Sequence, residues 1–210
     1  MQHKIVTLEY VLYMSILKFH SMRRAKYEEK NFIIDILTQS FESNQSVNYI
    51  IPQDEKRIKR IRALMDYSFD VCSLFGDVFI SDDNNACALI VYPDQKKTSL
   101  KSILLDVKLI IQCVGLKNIK RTLSREALIQ KIQPKETMTY LWFIGVNLAE
   151  QNKGIGSRLL QEIIQQSIQN NRPIYLETST VKNLPWYSKF GFKIYSEQDL
   201  SYHLYFLKRD

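Results

Sequence analysis

The hydrophobic pattern of this chain switches several times between helical spacing and short β-rich runs. Residues 31–43, NFIIDILTQSFES, place Phe32, Ile33, Ile36, Leu37 and Phe41 on one helical face, and the Asn-Gln-Ser cluster that follows ends the pattern. After Pro52, acidic residues open a second helix. Its packing stripe is Ile58, Ile61, Leu64 and Met65, surrounded by Lys56, Arg57, Lys59, Arg60 and Arg62. VFISDD and ACALIVYP, joined by Asp82, Asp83, Asn84 and Asn85, read as an antiparallel hairpin. Residues 98–132 are rich in Leu and Ile at helical spacing, and Gly115 divides them into two helices.

From Met138 onward the organisation is strongest. TYLWFIGV is apolar on both faces, as expected of a central strand covered on both sides. GSRLLQEIIQQSIQNN places Leu159, Leu160, Ile163, Ile164 and Ile168 on one stripe, with Asn171 able to cap its C-terminus and Pro173 preventing continuation. IYLETS is the next strand, NLPWYSKF a short helix, and GFKIYS with SYHLYFLK a closing pair of strands.

Composition narrows the class. With 210 residues, 45% hydrophobic and 24% charged, one domain can bury enough surface to need neither disulfides nor a structural metal. Cys72, Cys87 and Cys113 show no CxxC spacing, and His3, His20 and His203 offer no ligand pairing, so no metal is expected and reduced, cytoplasmic thiols are the default. The net charge of +7 suits an anionic partner without naming one. The basic residues at 56–62 lack interleaved aromatics, so a solvated helix face is favoured over a nucleic-acid site. The apolar run from Ile5 to Phe19 is broken by Glu9, Ser15 and Lys18, which argues against a membrane span and against a secretory leader. Residues 1–28 are expected to be an extension, helical or, up to residue 21, an upstream start-codon artefact before Met22. Residues 29–210 are expected to be a single domain with a helical insert at about 96–135.

Between the central strand and its helix lies Gln151-Asn152-Lys153-Gly154-Ile155-Gly156-Ser157. Two glycines there allow close backbone approach, and the first N–H groups of the helix have no internal partner, so a pyrophosphate is stabilised without a dedicated basic side chain. Lys153 adds a screened attraction. The spacing is neither a Walker A loop nor a dinucleotide fingerprint, since Leu159 stands where a third glycine belongs.

With its flanks, this loop resembles the core motif of the GNAT superfamily of acyl-CoA-dependent N-acyltransferases, [Q/R]-x-x-G-x-[G/A], here Gln151 to Gly156. LETSTVKNLPWYSKFGF is similar to that family's next strand and Asn-x-x-x-Tyr-x-x-x-Gly-Phe element, and the insert with the LETS strand resembles the puromycin-type branch. The resemblance implies an α/β (α+β) fold with a mixed, mostly antiparallel sheet splayed between its middle strands and helices on both faces. It further implies that Ile144, Gly145 and Val146 pair with the pantetheine arm of acetyl-CoA. Residues Gln151, Asn152, Lys153, Gly154, Ile155, Gly156 and Ser157 would hold the pyrophosphate, and Asn183 would bond to the pantetheine or cap the helix beginning at Leu184.

For an amine acceptor, losing the ammonium proton at pH 7 costs roughly 4 to 5 kcal/mol. Glu177 is the candidate base or substrate anchor, with a buried structural carboxylate as the alternative. A backbone N–H near Val146 is the candidate oxyanion donor. Tyr187, four residues after Asn183, is placed to protonate the leaving thiolate, a transfer about 2 kcal/mol uphill from unperturbed values. No cysteine lies in a nucleophile motif, so direct attack in a ternary complex is expected. The expected partners are acetyl-CoA and the amine of a small molecule. A protein or peptide amine and a non-catalytic acyl-CoA-binding module are the alternatives, and a homodimer is left open.

Overall fold

All the β-rich runs enter one sheet. The computed structural model describes residues 22–210. Its strands are β1 (Met22–Arg24), β2 (Gly76–Ser81), β3 (Ala86–Val91), β4 (Thr139–Val146), β5 (Ile174–Thr178), β6 (Lys193–Asp199) and β7 (His203–Arg209). They lie in the order β1-β2-β3-β4-β5-β7-β6, with β4 in the middle. The β4–β5 pair is parallel and every other pair antiparallel, which makes the sheet mixed and mostly antiparallel. Met22–Arg24 pairs with β2, so the sheet begins before the boundary at residue 28; the rest of the expected extension, residues 1–21, lies outside the described residues.

Helices cover both faces. α1 (Lys30–Ser40), α2 (Gln45–Ile50) and α3 (Arg57–Phe75) pack Ile33, Leu37, Ile61, Met65 and Phe69 against Ile80, Cys87, Leu89 and Phe143. After two helices of the insert, α4 (Leu100–Leu109) and α5 (Ile119–Ile132), the opposite face is covered by α6 (Ile155–Gln169) and α7 (Leu184–Lys189). There Leu159, Leu160, Ile163 and Ile164 meet Ala88, Ile90, Leu141 and Leu176. α5 sets Ile129 against Tyr202, Leu204 and Phe206 of the C-terminal strands.

Local differences from the sequence expectation have local causes. The Asn-Gln-Ser cluster begins a helix as well as ending one, because Asn44 Oδ1 accepts the Val47 N–H at 3.0 Å and caps α2. Phe32, Ile58 and Ile168 fall at the margins of their stripes and are exposed, while Ile34 is buried. α6 ends at Gln169 with Asn170 as its C-cap, and Asn171 takes a positive φ of 50° just beyond it. Gly115, with φ 68°, separates a π-helical turn at Ile110–Val114 from the 3-10 turn before α5.

β4 itself is covered less completely than its apolar sequence implies. Its register against β3 shifts so that Leu89 faces Phe143 but Ile90 faces Leu141, leaving Trp142 as a bulge. A bulge bends its strand and offsets the alternation of side chains. β4 accordingly pairs with β5 only at Thr139↔Ile174 and Tyr140↔Tyr175, after which the two strands separate. Tyr140, Trp142, Ile144 and Val146 are half-buried at the opening this creates.

Candidate active site

The gap between β4 and β5 is part of a cavity of about 960 Å³. Its floor is β4 from Tyr140 to Val146; Glu177 to Thr180 form one wall, and Ser40 to Val47 another. α3, α4 and α5 close one end with Tyr67, Leu109, Arg125 and Glu126, whereas the glycine loop and the start of α6 form the other end.

The backbone of β4 faces this space. Asn147 N–H donates to Asn85 O at 2.8 Å, which makes that a hydrogen-bonded pair; Val146 opposite Ala86 and Ile144 opposite Ala88 are then the non-bonded positions of the antiparallel ladder. Their N–H and C=O groups point away from β3 into the gap. The Val146 carbonyl accepts from Ser40 Oγ at 3.1 Å and from Gln151 Nε2 at 3.4 Å. Gly145 faces the other way, where a Cβ would come within 2.9 Å of Leu37 Cδ2, so α1 packs directly onto the strand at this point.

Gly154 adopts φ 80° at the N-cap of α6, with no side-chain cap, and Arg158 N–H bonding to the Gly154 carbonyl is the first helical bond. The N–H groups of Ile155, Gly156 and Ser157 therefore lie at the positive end of a 15-residue helix without an internal partner. Gln151, Asn152, Gly154, Ile155, Gly156 and Ser157 all border the cavity. Lys153 does not; its ammonium pairs with Glu150 at 2.9 Å. Ser157 Oγ accepts from Trp186 Nε1 at 2.9 Å, which ties α7 to the first turn of α6 and makes Trp186 a support for the loop.

Glu177 faces the cavity from β5, on the side of the sheet opposite Leu176. Tyr140 OH donates to its Oε2 and Gln133 Nε2 to its Oε1, the latter at 3.0 Å. Burial pushes its carboxyl above the usual range, against the two hydrogen bonds and the Arg125 charge that favour the ionised form. Arg125 is itself anchored, donating from Nε to Tyr202 OH at 2.9 Å and from Nη2 to Ser46 Oγ at 2.6 Å. Sequence reasoning did not find Tyr140, Gln133, Arg125 or Ser46. Tyr140 was hidden in an apolar strand, and the others lie 44, 52 and 131 positions from Glu177, in or just after helices whose packing no local pattern specifies.

Asn183 and Tyr187 border the same cavity from α7. Asn183 occupies the N-cap position, but its side chain caps nothing and is left for other partners. Tyr187 is 6% exposed, and burial pushes its phenol well above the ordinary tyrosine value. The three cysteines are buried, and burial drives their thiols up, Cys113 to about 12, which disfavours the thiolate a nucleophile requires. On α3, Arg57, Arg60 and Arg62 pair with Glu42, Asp54 and Asp35, so much of its basic face is neutralised.

A splayed mixed sheet, a bulged central strand and an uncapped helix start beside it define the GNAT class of fold. Residues 102–194, somewhat less than half of the chain, match the family model described as an acetyltransferase (GNAT) domain. Among solved structures, a Corynebacterium glutamicum protein described as a histone acetyltransferase and related acetyltransferase superposes with a TM-score of 0.69 at 17% identity, over 90% of this chain and 95% of that one. The C-terminal condensation domain of Ebony in complex with beta-alanyl-dopamine gives 0.63 at 10% identity, over 90% and 98%. An N-acetyltransferase from Staphylococcus aureus gives 0.57 at 14%, over 90% and 99%. An uncharacterized N-acetyltransferase of Schizosaccharomyces pombe is 43% identical over 53 residues, which span 25% of this chain and 22% of that relative.

Proposed function

We propose that this protein is an acetyl-CoA-dependent N-acetyltransferase that acts on the primary amine of a small molecule by direct attack in a ternary complex. The observation that carries the reading is the free inner edge of β4, which runs at Val146 towards the uncapped first turn of α6. Ile144 and Val146 offer strand-type hydrogen bonds to an amide-containing arm, and Ile155, Gly156 and Ser157 offer backbone N–H groups to a pyrophosphate. Gly154, where an added Cβ would meet nothing within 4 Å, leaves the approach to those groups open. Asn183, with no cap to make, is available to the same arm. Acetyl-CoA, when bound, supplies an acetyl thioester.

The acceptor end of the cavity combines Glu177 and Glu126 with the rings of Tyr67, Tyr140 and Trp142. A cationic amine is attracted there, and Glu177 takes its proton directly or through water. The raised carboxyl pKa narrows the gap to the amine, so the transfer costs less than it would to an ordinary carboxylate. The Val146 N–H, turned into the gap, is the donor for developing oxyanion charge. Tyr187 has no protein partner for its hydroxyl among the described residues. Its burial makes it a hydrogen-bond donor to a developing thiolate more than a strong acid, because phenol ionisation becomes harder in the same surroundings.

Calorimetric titration with acetyl-CoA, desulfo-CoA and ATP tests the reading before the acceptor is known. Micromolar-range binding of acetyl-CoA and desulfo-CoA but not ATP is expected, followed by thiol release with small amines. Absence of binding by folded protein refutes the cofactor assignment. Thiol release with peptides but with no small amine tried moves the acceptor to the peptide class.

A further inference from the structure

The insert presents a surface that the acceptor cavity does not use. α4 packs the half-buried Leu105 and Leu109 against the core, yet Leu100, Ile103, Leu104 and Val107 form a second stripe on its solvent side, and Ile111 continues it into the π turn. Leu100 and Leu104 are 82% and 69% exposed. Beyond Gly115, Leu116 and Leu123 are 80% and 62% exposed. A surface helix ordinarily turns one apolar stripe inward, and a contiguous second stripe marks an interaction surface.

The charge around these side chains is equally uneven. Residues 96–124 hold seven basic residues and a single acid, Asp106, a net of +6 in a chain whose total is +7. Lys108 pairs with Asp66, and Arg121 stacks over Tyr49. Lys97, Lys101, Lys117 and Lys120 form no ion pair among the described residues. On the helix, Lys101 and Lys108 flank the apolar stripe on one side.

We propose that residues 96–124 dock the domain onto an anionic lipid bilayer surface, with the α4 stripe entering the boundary between headgroups and acyl chains and the lysines meeting the lipid phosphates. Charge complementarity selects the anionic surface, and the exposed leucines select one with an apolar interior next to its charges. A nucleic-acid backbone offers the first and not the second. No helix among the described residues is long and apolar enough to cross a membrane, so the contact is peripheral. Leu109, Thr122, Arg125 and Ile129 on the inner side of the same insert line the cavity, which puts the docking surface and the acceptor end on two sides of one element.

Sedimentation of the full chain with vesicles tests this, comparing phosphatidylcholine alone with phosphatidylcholine containing about one third phosphatidylglycerol, in low and high salt. Anionic vesicles should bind at least about tenfold more tightly than neutral ones, less so in high salt. Leu100→Ser with Leu104→Ser should lower that affinity about tenfold, and Lys97→Glu with Lys101→Glu by at least about fivefold per position. All four positions lie on the outside, so the melting temperature should hold. No binding to anionic vesicles, or binding unchanged in the folded double variants, overturns the proposal. So does preferential binding to duplex DNA, or a particle of twice the monomer mass that dissociates on Leu104→Ser, which would assign the face to nucleic acid or to a second copy of the chain.

Discussion

Substitutions at Gly154 test the proposed pyrophosphate cradle by separating folding from binding. Its φ of 80° is a left-handed conformation that costs an L-residue about 1–2 kcal/mol, while a Cβ added there meets nothing within 4 Å. The folding penalty of Gly154→Ala or Gly154→Val is therefore confined to the backbone. For a chain of this length it should appear as a fall in melting temperature of about 2–8 °C. Binding should suffer more, because the new side chain stands where a pyrophosphate must approach the Ile155, Gly156 and Ser157 N–H groups. Losing one charge-assisted hydrogen bond costs about 1.5–3 kcal/mol, so acetyl-CoA affinity should drop at least about tenfold for Ala and a hundredfold or more for Val. Gly191→Ala is the control. That glycine also has a positive φ, 82°, and an added Cβ would lie 3.5 Å from Arg209 Nε, away from the cavity lining. It should lower the melting temperature by a similar amount and leave affinity alone. Calorimetry and thermal melts on the three variants decide the matter: wild-type affinity in Gly154→Val, or an equal loss in Gly191→Ala, would refute the cradle.

Tyr187→Phe should leave stability and acetyl-CoA affinity nearly unchanged, since no protein hydrogen bond is lost, while lowering kcat about tenfold or more; unchanged turnover across pH removes Tyr187 from the chemistry. Glu177→Gln should depress kcat/KM and abolish an acidic limb that, in the wild type, lies above the ordinary carboxylate value, as a pH–rate profile will show. The same substitution has a stability signature. A carboxyl whose pKa is raised on folding costs stability as pH climbs past its unfolded value, so the melting temperature of Glu177→Gln relative to wild type should rise between about pH 4 and 7. Glu29 has the opposite sign. Its hydrogen bonds to Arg23 hold its carboxyl at about 2, so it stabilises the β1 end of the sheet above the normal carboxylate range and loses that contribution as pH falls from about 4.5 towards 2; Glu29→Gln should flatten that acid slope.

The glycine turn was legible because its signal is local. A β-rich run, two glycines and an amphipathic helix lie close together in the chain, and backbone physics at a helix start makes the turn a candidate anion site without distant partners. Period-2 alternation likewise put Glu177 on the opposite face from Leu176. The acid–tyrosine–amide cluster was not legible, because Gln133 and Tyr140 reach Glu177 from the end of the insert and from the neighbouring strand. The composition of the insert was plain in the sequence as a run of leucines and lysines. Which leucines face solvent was not, since both stripes of α4 are apolar and only packing against α3 chooses the one that turns inward.

By itself the sequence determined the succession of elements, the open turn before α6 and the candidate residues for an anion or a proton, because these follow from periodicity, glycine content and side-chain chemistry over a few residues. The tertiary structure decided where the sheet opens. A one-residue shift at Trp142 bends β4 away from β5 and turns the backbone of Ile144 and Val146 towards empty space, and such a shift arises from strand register, a property of two segments distant in the sequence and of neither one alone.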